Sequence, residues 1–373
     1  MQNVSAGGLG IGDDHPPRIM GVLNVSEESP YDPSVFADPA EAADYVDREL
    51  IDEGADIVDV GLESANKRFE VLTADEELDR HETAIETVDE VEGDAVFSIE
   101  TRYHEVADAA LDANFDMVND ICGFADPEMP AVCEAHDAAV VKMASPADLE
   151  RPGAVEDVDD IYDALSLHGL TEKTIIDPAF GGWSEEKTLA DDRETFRRLR
   201  EFRALDRPLL VSINRKNFPR DPAGRSTEEA LPVSLAATSM AVERGAHVIR
   251  THDVAETRDA ALIGDAFTPE RATVEGVSEL DVAGADELRR HIVAVGGDRR
   301  RAPEGVARAF RVEGLSGTEL DRLATAGTRT GVLVEGGPDT VILAGSESAL
   351  RSFAARVEDG VGRVASVVLR VLP

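Results

Sequence analysis

The sequence predicts an α/β fold: a (β/α)8 TIM barrel followed by a small α+β domain. Between residues 18 and 253, eight short apolar segments alternate with segments that have helical patterns. The apolar segments are continuous and rich in β-branched residues, as is typical of parallel strands buried on both faces. The chain has 373 residues, whereas such a barrel needs about 250. A second domain is therefore expected.

The predicted strands each end in a short polar or glycine-containing stretch. They lie at residues 18–25, 56–63, 95–101, 115–120, 138–143, 174–180, 208–214 and 247–253. Between them, Thr73 with Glu76 and Ser226 with Glu229 have the spacing of helix capping boxes. Strands that alternate with helices form a parallel sheet through crossover connections. Eight such units favour a closed barrel, residues 18–266, over an open doubly wound sheet.

The remaining segments are predicted from their patterns. Residues 1–17 are expected to be a flexible N-terminal segment. Residues 267–306 are expected to be a connector that carries a strand, a short helix and a basic run at 298–301. Residues 307–373 have the order β-α-β-β-α-β, with the last strand at 364–371, which indicates a ferredoxin-like domain. This domain carries no metal, nucleotide or nucleophile motif, so a role in packing or oligomerisation is expected.

The composition excludes several functions. The chain has 37 basic and 76 acidic residues, a net charge of −39 that we interpret as spread along the whole chain. Such a charge disfavours binding to nucleic acid or to acidic membranes. Only five basic residues are lysine, and this composition is typical of the cytoplasm of a halophilic archaeon, where salt screens the repulsion. No membrane span or signal peptide is apparent, so a cytoplasmic location is predicted.

Polar side chains end the predicted strands, and these carry the functional hypothesis. In a parallel barrel the active site lies at the carboxyl ends of the strands. The residues at these ends are Asn24, Glu63, Glu100, Asn119, Lys142, Asp177, Lys216, Arg250 and His252.

The acids and the amide among these residues indicate a flat polar ligand. Asp59, Glu100 and Asp177 fall within or at the ends of apolar runs, where a carboxylate is costly unless it is paired. One such acid alone is compatible with a structural role. Glu100 and Asp177 at strand ends, with Asn119 between them, suit a heterocycle with an amidine-like edge. Asn24 precedes an acidic loop and can bind an anion or Mg²⁺, although a turn-capping role is the alternative.

The cations indicate a second part of the site. The Lys216 ammonium group can donate a hydrogen bond to a heteroatom of a bound ring, and neighbouring Arg215 is expected to form a structural ion pair. Arg250 and His252 are two residues apart and so point to the same side of the strand. Such a cationic pair is expected to bind phosphate. The alternative for His252 is that it caps a turn.

Seven ordered motifs make the barrel resemble dihydropteroate synthases of the pterin-binding superfamily. They are IMGVLNVS, EGADIVDVGLES, FSIETRYHEVADAAL, FDMVNDICG, IIDPAF, NRKNF and IRTHDVAET, between residues 18 and 266. The C-terminal segment lies outside the resemblance.

The resemblance implies specific roles. Glu100, where the family has Asp, would bind the pterin ring with Asn119, Asp177 and Lys216. Asn24, Arg250 and His252 would bind the diphosphate, with Mg²⁺ as the cofactor and Asn24 as its ligand, and Lys216, Arg250 and His252 would be catalytic. The implied reaction joins 6-hydroxymethyl-7,8-dihydropterin diphosphate to 4-aminobenzoate with loss of diphosphate. A homodimer is the assembly that the resemblance suggests.

The departures from the family gather on the arylamine side. Residues 26–30 and 64–68 replace two family loops that normally close over the arylamine. We predict that Ser64, Trp183 and Asn214 lie on this side, although Trp183 and Asn214 stand where the family has other residues. Two other functions stay open: a pterin-binding methyltransferase of the same superfamily, which needs no diphosphate site, and a non-catalytic pterin-binding regulatory protein.

Overall fold

The computed structural model describes residues 2–25, 34–63, 71–181, 183–184, 186–274 and 277–372. The chain divides into two compact units, Met1–Glu270 and Arg271–Pro373.

The first unit is a barrel of eight parallel strands, which confirms the predicted fold class. Hydrogen bonds join the strands in the order β8-β7-β6-β5-β4-β3-β10-β9. A parallel bridge from Ile176 to Leu209 then connects the two end strands and closes the barrel. The strands are β3 (Arg18–Asn24), β4 (Ile57–Gly61), β5 (Val96–Thr101), β6 (Met117–Asp120), β7 (Ala139–Met143), β8 (Thr174–Asp177), β9 (Leu210–Val211) and β10 (Val248–Thr251).

Helices follow the strands of the barrel. The capping box predicted at Thr73 is present: its hydroxyl accepts a hydrogen bond from the backbone N–H of Glu76, and α2 begins there. The first helix continues into a π-helical segment, Val46–Ile51. The helices are α1 (Pro39–Tyr45), α2 (Ala74–Glu90), α3 (His104–Asp112), α4 (Met129–Ala135), α5 (Val158–Ser166), α6 (Leu189–Arg197), α7 (Asn217–Arg220), α8 (Leu231–Glu243) and α9 (Val254–Ala266).

An N-terminal hairpin packs against the barrel interior, so the prediction of a flexible segment at residues 1–17 is wrong. Strands β1 (Val4–Ala6) and β2 (Leu9–Ile11) pair in antiparallel fashion. The hairpin and the first inward residues of the barrel strands, such as Met20 and Ile57, form one buried cluster. The turn between β1 and β2 is Gly7-Gly8 with positive φ at both residues, a hairpin signal that the sequence analysis missed.

The second unit is a three-stranded antiparallel sheet with helices. Its strand order is β13-β15-β14, and α11 packs against α13, so the predicted connector is not a separate segment. The elements are β11 (Thr273–Val274), β12 (Val277–Ser278), α10 (Ala285–Ala294), α11 (Ala302–Gly305), β13 (Ala307–Glu313), α12 (Gly317–Thr330), β14 (Leu333–Gly336), β15 (Thr340–Ser346) and α13 (Glu347–Val371).

The last predicted strand is helical, so the complete ferredoxin-like order is wrong. Residues 364–371 belong to α13. The buried residues Val357, Val361, Val364 and Val368 recur every three or four positions, which is the helical period. The β-branched composition favoured a strand, but the buried valines follow the helical period on both sides of a kink at Val361, whose φ of −140° and ψ of 49° are not helical.

The two units differ sharply in charge, so the interpretation of an evenly spread charge is also wrong. Residues 271–373 contain 14 basic and 15 acidic side chains, a net charge of −1. The remaining 23 basic and 61 acidic side chains give the barrel unit −38. The acidic excess therefore belongs to the barrel.

Across the ranges that the structure describes, every helix is too short or too polar to cross a lipid bilayer.

Candidate active site

Strand register brings the predicted polar residues to one end of the barrel. Asn24 on β3 is aligned with Gly61 on β4, Gly61 with Glu100 on β5, and Glu100 with Asn119 on β6. Because side chains alternate along a strand, these residues share the inward orientation of the buried barrel core. Gly61 contributes no side chain between Asn24 and Glu100, and the Asn24 amide approaches it closely: a Cβ added at Gly61 would lie 3.0 Å from Asn24 Oδ1.

An ion cluster occupies the centre of this end. Arg250 on β10 donates from Nε to Asp59 Oδ2 at 2.7 Å and from a terminal nitrogen to Glu100 Oε2 at 2.7 Å. Asn119 Nδ2 donates to Asp59 Oδ2 at 2.9 Å. The other carboxylate oxygen of Asp59 is buried and accepts no hydrogen bond from any residue that the structure describes. A ligand donor can satisfy that oxygen.

Asp59 is a site residue that the resemblance did not assign. The sequence predicts only a costly interior acid at this position, whereas the structure places Asp59 fully buried against Arg250 and Asn119. The sequence carries a signal for this position. Side chains alternate along a strand, and Asp59 is two residues from Ile57, so both side chains point into the barrel core.

Burial favours the protonated form of two site acids. It raises the pKa of Glu100 to about 7, although Arg250 opposes the shift. Burial also raises the pKa of Asp177 to about 6, although the hydrogen bond from the backbone N–H of Ala179 and the positive charge of Lys216 lower it. Both groups can therefore change protonation near neutral pH when a ligand alters their surroundings.

Lys216 and Trp183 lie together beyond the strand ends. The Lys216 Nζ is 5.4 Å from the centre of the Trp183 ring, a cation–π distance. The indole N–H of Trp183 donates to the Phe180 carbonyl at 3.1 Å, which fixes the ring. Burial, with a contribution from Arg250, lowers the pKa of Lys216.

His252 is neutral, which differs from the cationic pair that the sequence predicts. Burial lowers its pKa to about 3, and the charge of Arg250 adds to the shift. In the ligand-free protein the imidazole therefore acts as a neutral hydrogen-bonding group beside the Arg250 guanidinium group.

Asn214 is held at the rim by a neighbouring acid. Its Nδ2 donates to Asp253 Oδ2 at 2.8 Å, and among the described parts of the chain its buried Oδ1 has no hydrogen-bond donor. The Arg215 guanidinium group donates to both oxygens of Asp253 at 2.8 Å. The structural ion pair predicted for Arg215 is therefore present.

Two predicted strand ends do not belong to the site. The Lys142 ammonium group donates to the carbonyls of Leu167 and Gly169 and lies 4.9 Å from the Phe124 ring centre, on the helix side of β7. Val141 belongs to the buried cluster inside the barrel. Lys142 is the next residue on the strand, so its side chain points outward. Glu63 forms a buried ion pair with Arg102. Both side chains are structural.

Part of the predicted arylamine side lies outside the described residues. This applies to Ser64 and to the altered segments at 26–30 and 64–68. Glu63, which directly precedes the second segment, accepts the backbone N–H of Leu72 at 2.8 Å.

The chain belongs to the pterin binding enzyme family, whose model matches residues 20–252. Its relatives include a dihydropteroate synthase of Clostridium beijerinckii, 31% identical over 254 residues, which cover 66% of this chain and 93% of that protein. A Haloferax volcanii protein named as a probable bifunctional folylpolyglutamate synthase/dihydropteroate synthase is 35% identical over 260 residues. That match covers 65% of this chain but only 30% of the relative. The archaeal relative agrees with the predicted halophilic origin.

Solved structures of dihydropteroate synthases share the fold. The Coxiella burnetii enzyme in complex with pteroic acid has a TM-score of 0.60 and 27% identity, covering 71% of this chain and 98% of that one. The Xanthomonas albilineans enzyme with 4-aminobenzoic acid has a TM-score of 0.59 and 29% identity, covering 71% and 97%.

Proposed function

We propose that this chain is a dihydropteroate synthase of folate biosynthesis. It would condense 6-hydroxymethyl-7,8-dihydropterin diphosphate with 4-aminobenzoate or a related arylamine. The observation that carries the proposal is the cluster of Asp59, Glu100, Asn119 and Arg250 at the strand ends of a pterin-binding barrel. The names of the relatives and the ligands of the solved structures support the same reaction.

The pterin ring is assigned to the buried polar cluster. The free oxygen of Asp59 can accept an N–H of the ring. Glu100 and Asp177 supply carboxyl groups that can accept or donate, depending on protonation. Asn119 offers an amide, and the Lys216 ammonium group can donate to a ring heteroatom. A buried array of this kind fixes the orientation of a flat heterocycle before reaction.

The diphosphate is assigned to Asn24, Arg250 and His252. In the reaction the bond from the pterin methylene carbon to the diphosphate oxygen breaks, and a bond from that carbon to the arylamine nitrogen forms. The nitrogen then loses a proton. Arg250 would stabilise the charge that develops on the leaving diphosphate, and neutral His252 would donate a hydrogen bond to it.

The side chain of Asn24 is compatible with a Mg²⁺ ion. Its Nδ2 donates to Ser34 Oγ at 2.9 Å, which orients the amide and leaves Oδ1 as an oxygen ligand. Mg²⁺ usually takes few protein ligands and fills its octahedron with water and substrate phosphates. When bound, it would neutralise charge on the diphosphate.

The arylamine is assigned to the rim near Trp183 and Asn214; Ser64, the third residue predicted for this side, lies outside the described residues. The fixed indole ring of Trp183 offers an aromatic wall, and the free Oδ1 of Asn214 offers an acceptor for an amine.

A binding comparison separates the proposal from a methyltransferase. Titration calorimetry with the pterin diphosphate and with a methylated tetrahydropterin should give tighter binding of the diphosphate ester, weakened at least about tenfold in Lys216→Ala. The matched control is Lys173→Ala, which lies just before the amino end of β8 and pairs with Asp137. Preference for the methylated pterin would reject the synthase assignment. Tight binding of the diphosphate ester without turnover would favour the regulatory alternative.

We also propose a homodimer that uses the outer face of α8 and α9. Met240, Leu262, Ile263 and Phe267 are exposed there, Phe267 to 78%, and exposed apolar patches often mark protein interfaces. Light scattering should report a dimer for the wild type and a monomer for Ile263→Glu; a monomeric wild type contradicts the proposal. A cytoplasmic location remains a prediction from the sequence.

A further inference from the structure

A cavity of about 330 Å³ in the second unit is lined by arginines. Its walls are Arg289 of α10, Arg299 and Arg300 of a 3-10 turn, and Pro303 of α11. We call this cavity the arginine cleft. It lies wholly within the second unit, which the pterin binding family model does not cover.

The cleft is a basic feature of an acidic protein. Residues 289–301 contain five arginines and one acidic residue, Asp298, in a chain whose net charge is −39. The whole second unit has a net charge of −1, from 14 basic and 15 acidic side chains, and five of the 14 basic side chains lie in this short segment. Three of the five converge on the same cavity instead of spreading along a face.

The cleft arginines are held only by weak local pairs. Arg289 pairs with Asp286 at 2.5 Å, and both side chains are more than 40% exposed. Arg300 pairs with Asp298 at 2.7 Å and is 85% exposed. Exposed pairs of this kind contribute about 0–1 kcal/mol. Within the part of the chain that the structure describes, the Arg299 side chain makes no ion pair. All three guanidinium groups can therefore turn to a ligand at little cost.

The backbone around the cleft is well defined. The Asp298 side chain accepts the backbone N–H of Arg300 at 3.0 Å, and this caps the 3-10 turn. Helix α11 approaches α10 closely at Gly305, where an added Cβ would lie 2.5 Å from Leu288 Cδ2. The turn and both helices thus fix the positions from which the arginines extend.

We propose that the arginine cleft binds a small polyanion, a molecule with two or more adjacent phosphate or carboxylate groups. Guanidinium groups form paired hydrogen bonds with such oxygens. The volume lies at the lower end of the range for small-ligand pockets. The chain's net charge of −39 disfavours a long polyanion such as nucleic acid. The proposal does not depend on the reaction assigned to the barrel.

Calorimetric titration of the full chain at low salt tests the proposal, with sodium tripolyphosphate and sodium citrate as probes. The test variant is Arg299→Gln/Arg300→Gln. The control is Arg322→Gln/Arg329→Gln, which removes the same charge from exposed positions on α12. Every titration is repeated in a Lys216→Ala background, so that binding in the barrel is recognised separately.

We expect at least one probe to bind the wild type and the control equally, and its dissociation constant to rise at least about tenfold in the test variant. Which probe binds more tightly identifies phosphate or carboxylate as the natural group. Equal affinities in test and control variants would overturn the proposal. So would binding of neither probe, or tight binding of a short RNA oligomer alone.

Discussion

At the level of single residues, Arg250 connects the two halves of the proposed site. The sequence assigns it to the diphosphate, whereas the structure pairs it with Asp59 and Glu100, which face the pterin side. The carboxylates raise the pKa of Arg250 above its usual value, even though burial opposes this. Substitution of Arg250 should therefore affect more than diphosphate binding.

We predict that Arg250→Ala weakens binding of both the pterin diphosphate and the corresponding pterin alcohol by about 100-fold or more. Without Arg250, Asp59 and Glu100 lose the cation that pairs with them, so the carboxyl groups proposed to bind the pterin ring repel each other and lose their fixed positions. Calorimetric titration with both ligands measures the effect, and Arg258→Ala on the surface of α9 is the control. If Arg250→Ala binds the pterin alcohol as tightly as the wild type does, the prediction is contradicted, and Arg250 contributes to diphosphate binding alone.

A second residue, Glu77, gives a test of pH dependence. It is buried on α2, and burial raises its pKa to about 8, although a hydrogen bond from Thr101 Oγ1 at 2.5 Å opposes the shift. The raised pKa means that its contribution to stability is present below the unfolded value near 4.5 and is lost as pH rises through about 8.

We predict that Glu77→Gln, which stays neutral, becomes progressively more stable than the wild type as pH rises through this window. The difference grows by at most about 1.4 kcal/mol per pH unit. Urea unfolding at several pH values measures it, with exposed Glu82→Gln as the control. Parallel stability curves for wild type and Glu77→Gln would mean that the carboxyl group of Glu77 is not protonated in the folded protein.

Site residues at the ends of strands could be predicted from the sequence. Site residues in the middle of a strand were harder to predict. Asn119, Asp177 and Arg250 were found because they close apolar runs. Asp59 and Lys142 differ from the prediction because side chains alternate along a strand: Asp59 points into the barrel with Ile57, whereas Lys142 follows inward-pointing Val141 and points to the helix side. The protonation of His252 could not be predicted, since its pKa depends on burial and on a neighbour from the same strand.

At the level of elements, the N-terminal hairpin closes the end of the barrel opposite the site. Ile11 is fully buried and shares a cluster with Met20 and Ile57. On the same side, Asp13 accepts from His247 Nε2 at 3.1 Å and pairs with Arg203 at 2.9 Å. The hairpin is therefore part of the core.

We predict that Ile11→Ala lowers the free energy of unfolding by about 2–4 kcal/mol and leaves the KM values unchanged. The loss comes from a cavity at the amino ends of the strands, far from the carboxyl ends. Denaturant unfolding and steady-state kinetics measure the two effects. The control is Leu167→Ala, 56% exposed, which should change stability by less than about 0.5 kcal/mol. An equal effect of both changes would show that the hairpin does not pack as described.

The repeated strand–helix pattern made the barrel predictable, because each unit carries its own local signal. The hairpin was missed because its strands have only three residues each. The end of α13 was mistaken for a strand because its valines favour β-structure, while their spacing is helical.

At the level of the whole molecule, charge separates the two units. The barrel unit has 61 acidic and 23 basic residues, whereas the second unit is nearly neutral. The total charge was evident from composition, but its division required the boundary between the units. Self-repulsion therefore acts mainly on the barrel.

We predict that the thermal midpoint rises as KCl increases from about 0.1 M to about 2 M, because salt screens repulsion among the acidic side chains. Calorimetry of the full chain measures it. NaCl at equal ionic strength should act similarly, since screening depends on ionic strength. A midpoint that stays constant or falls in both salts would contradict the salt adaptation inferred from the composition.

The central claim is that the polar strand ends of the barrel form a synthase site. The most direct measurement incubates the full chain with the pterin diphosphate, Mg²⁺ and a set of arylamines at high salt, and quantifies both products. We expect a pteroate-type product and diphosphate in equal amounts with 4-aminobenzoate or a related arylamine, and at least about a 100-fold loss of rate in Lys216→Ala. Absence of product with every arylamine, or an undiminished rate in Lys216→Ala, would contradict the assignment.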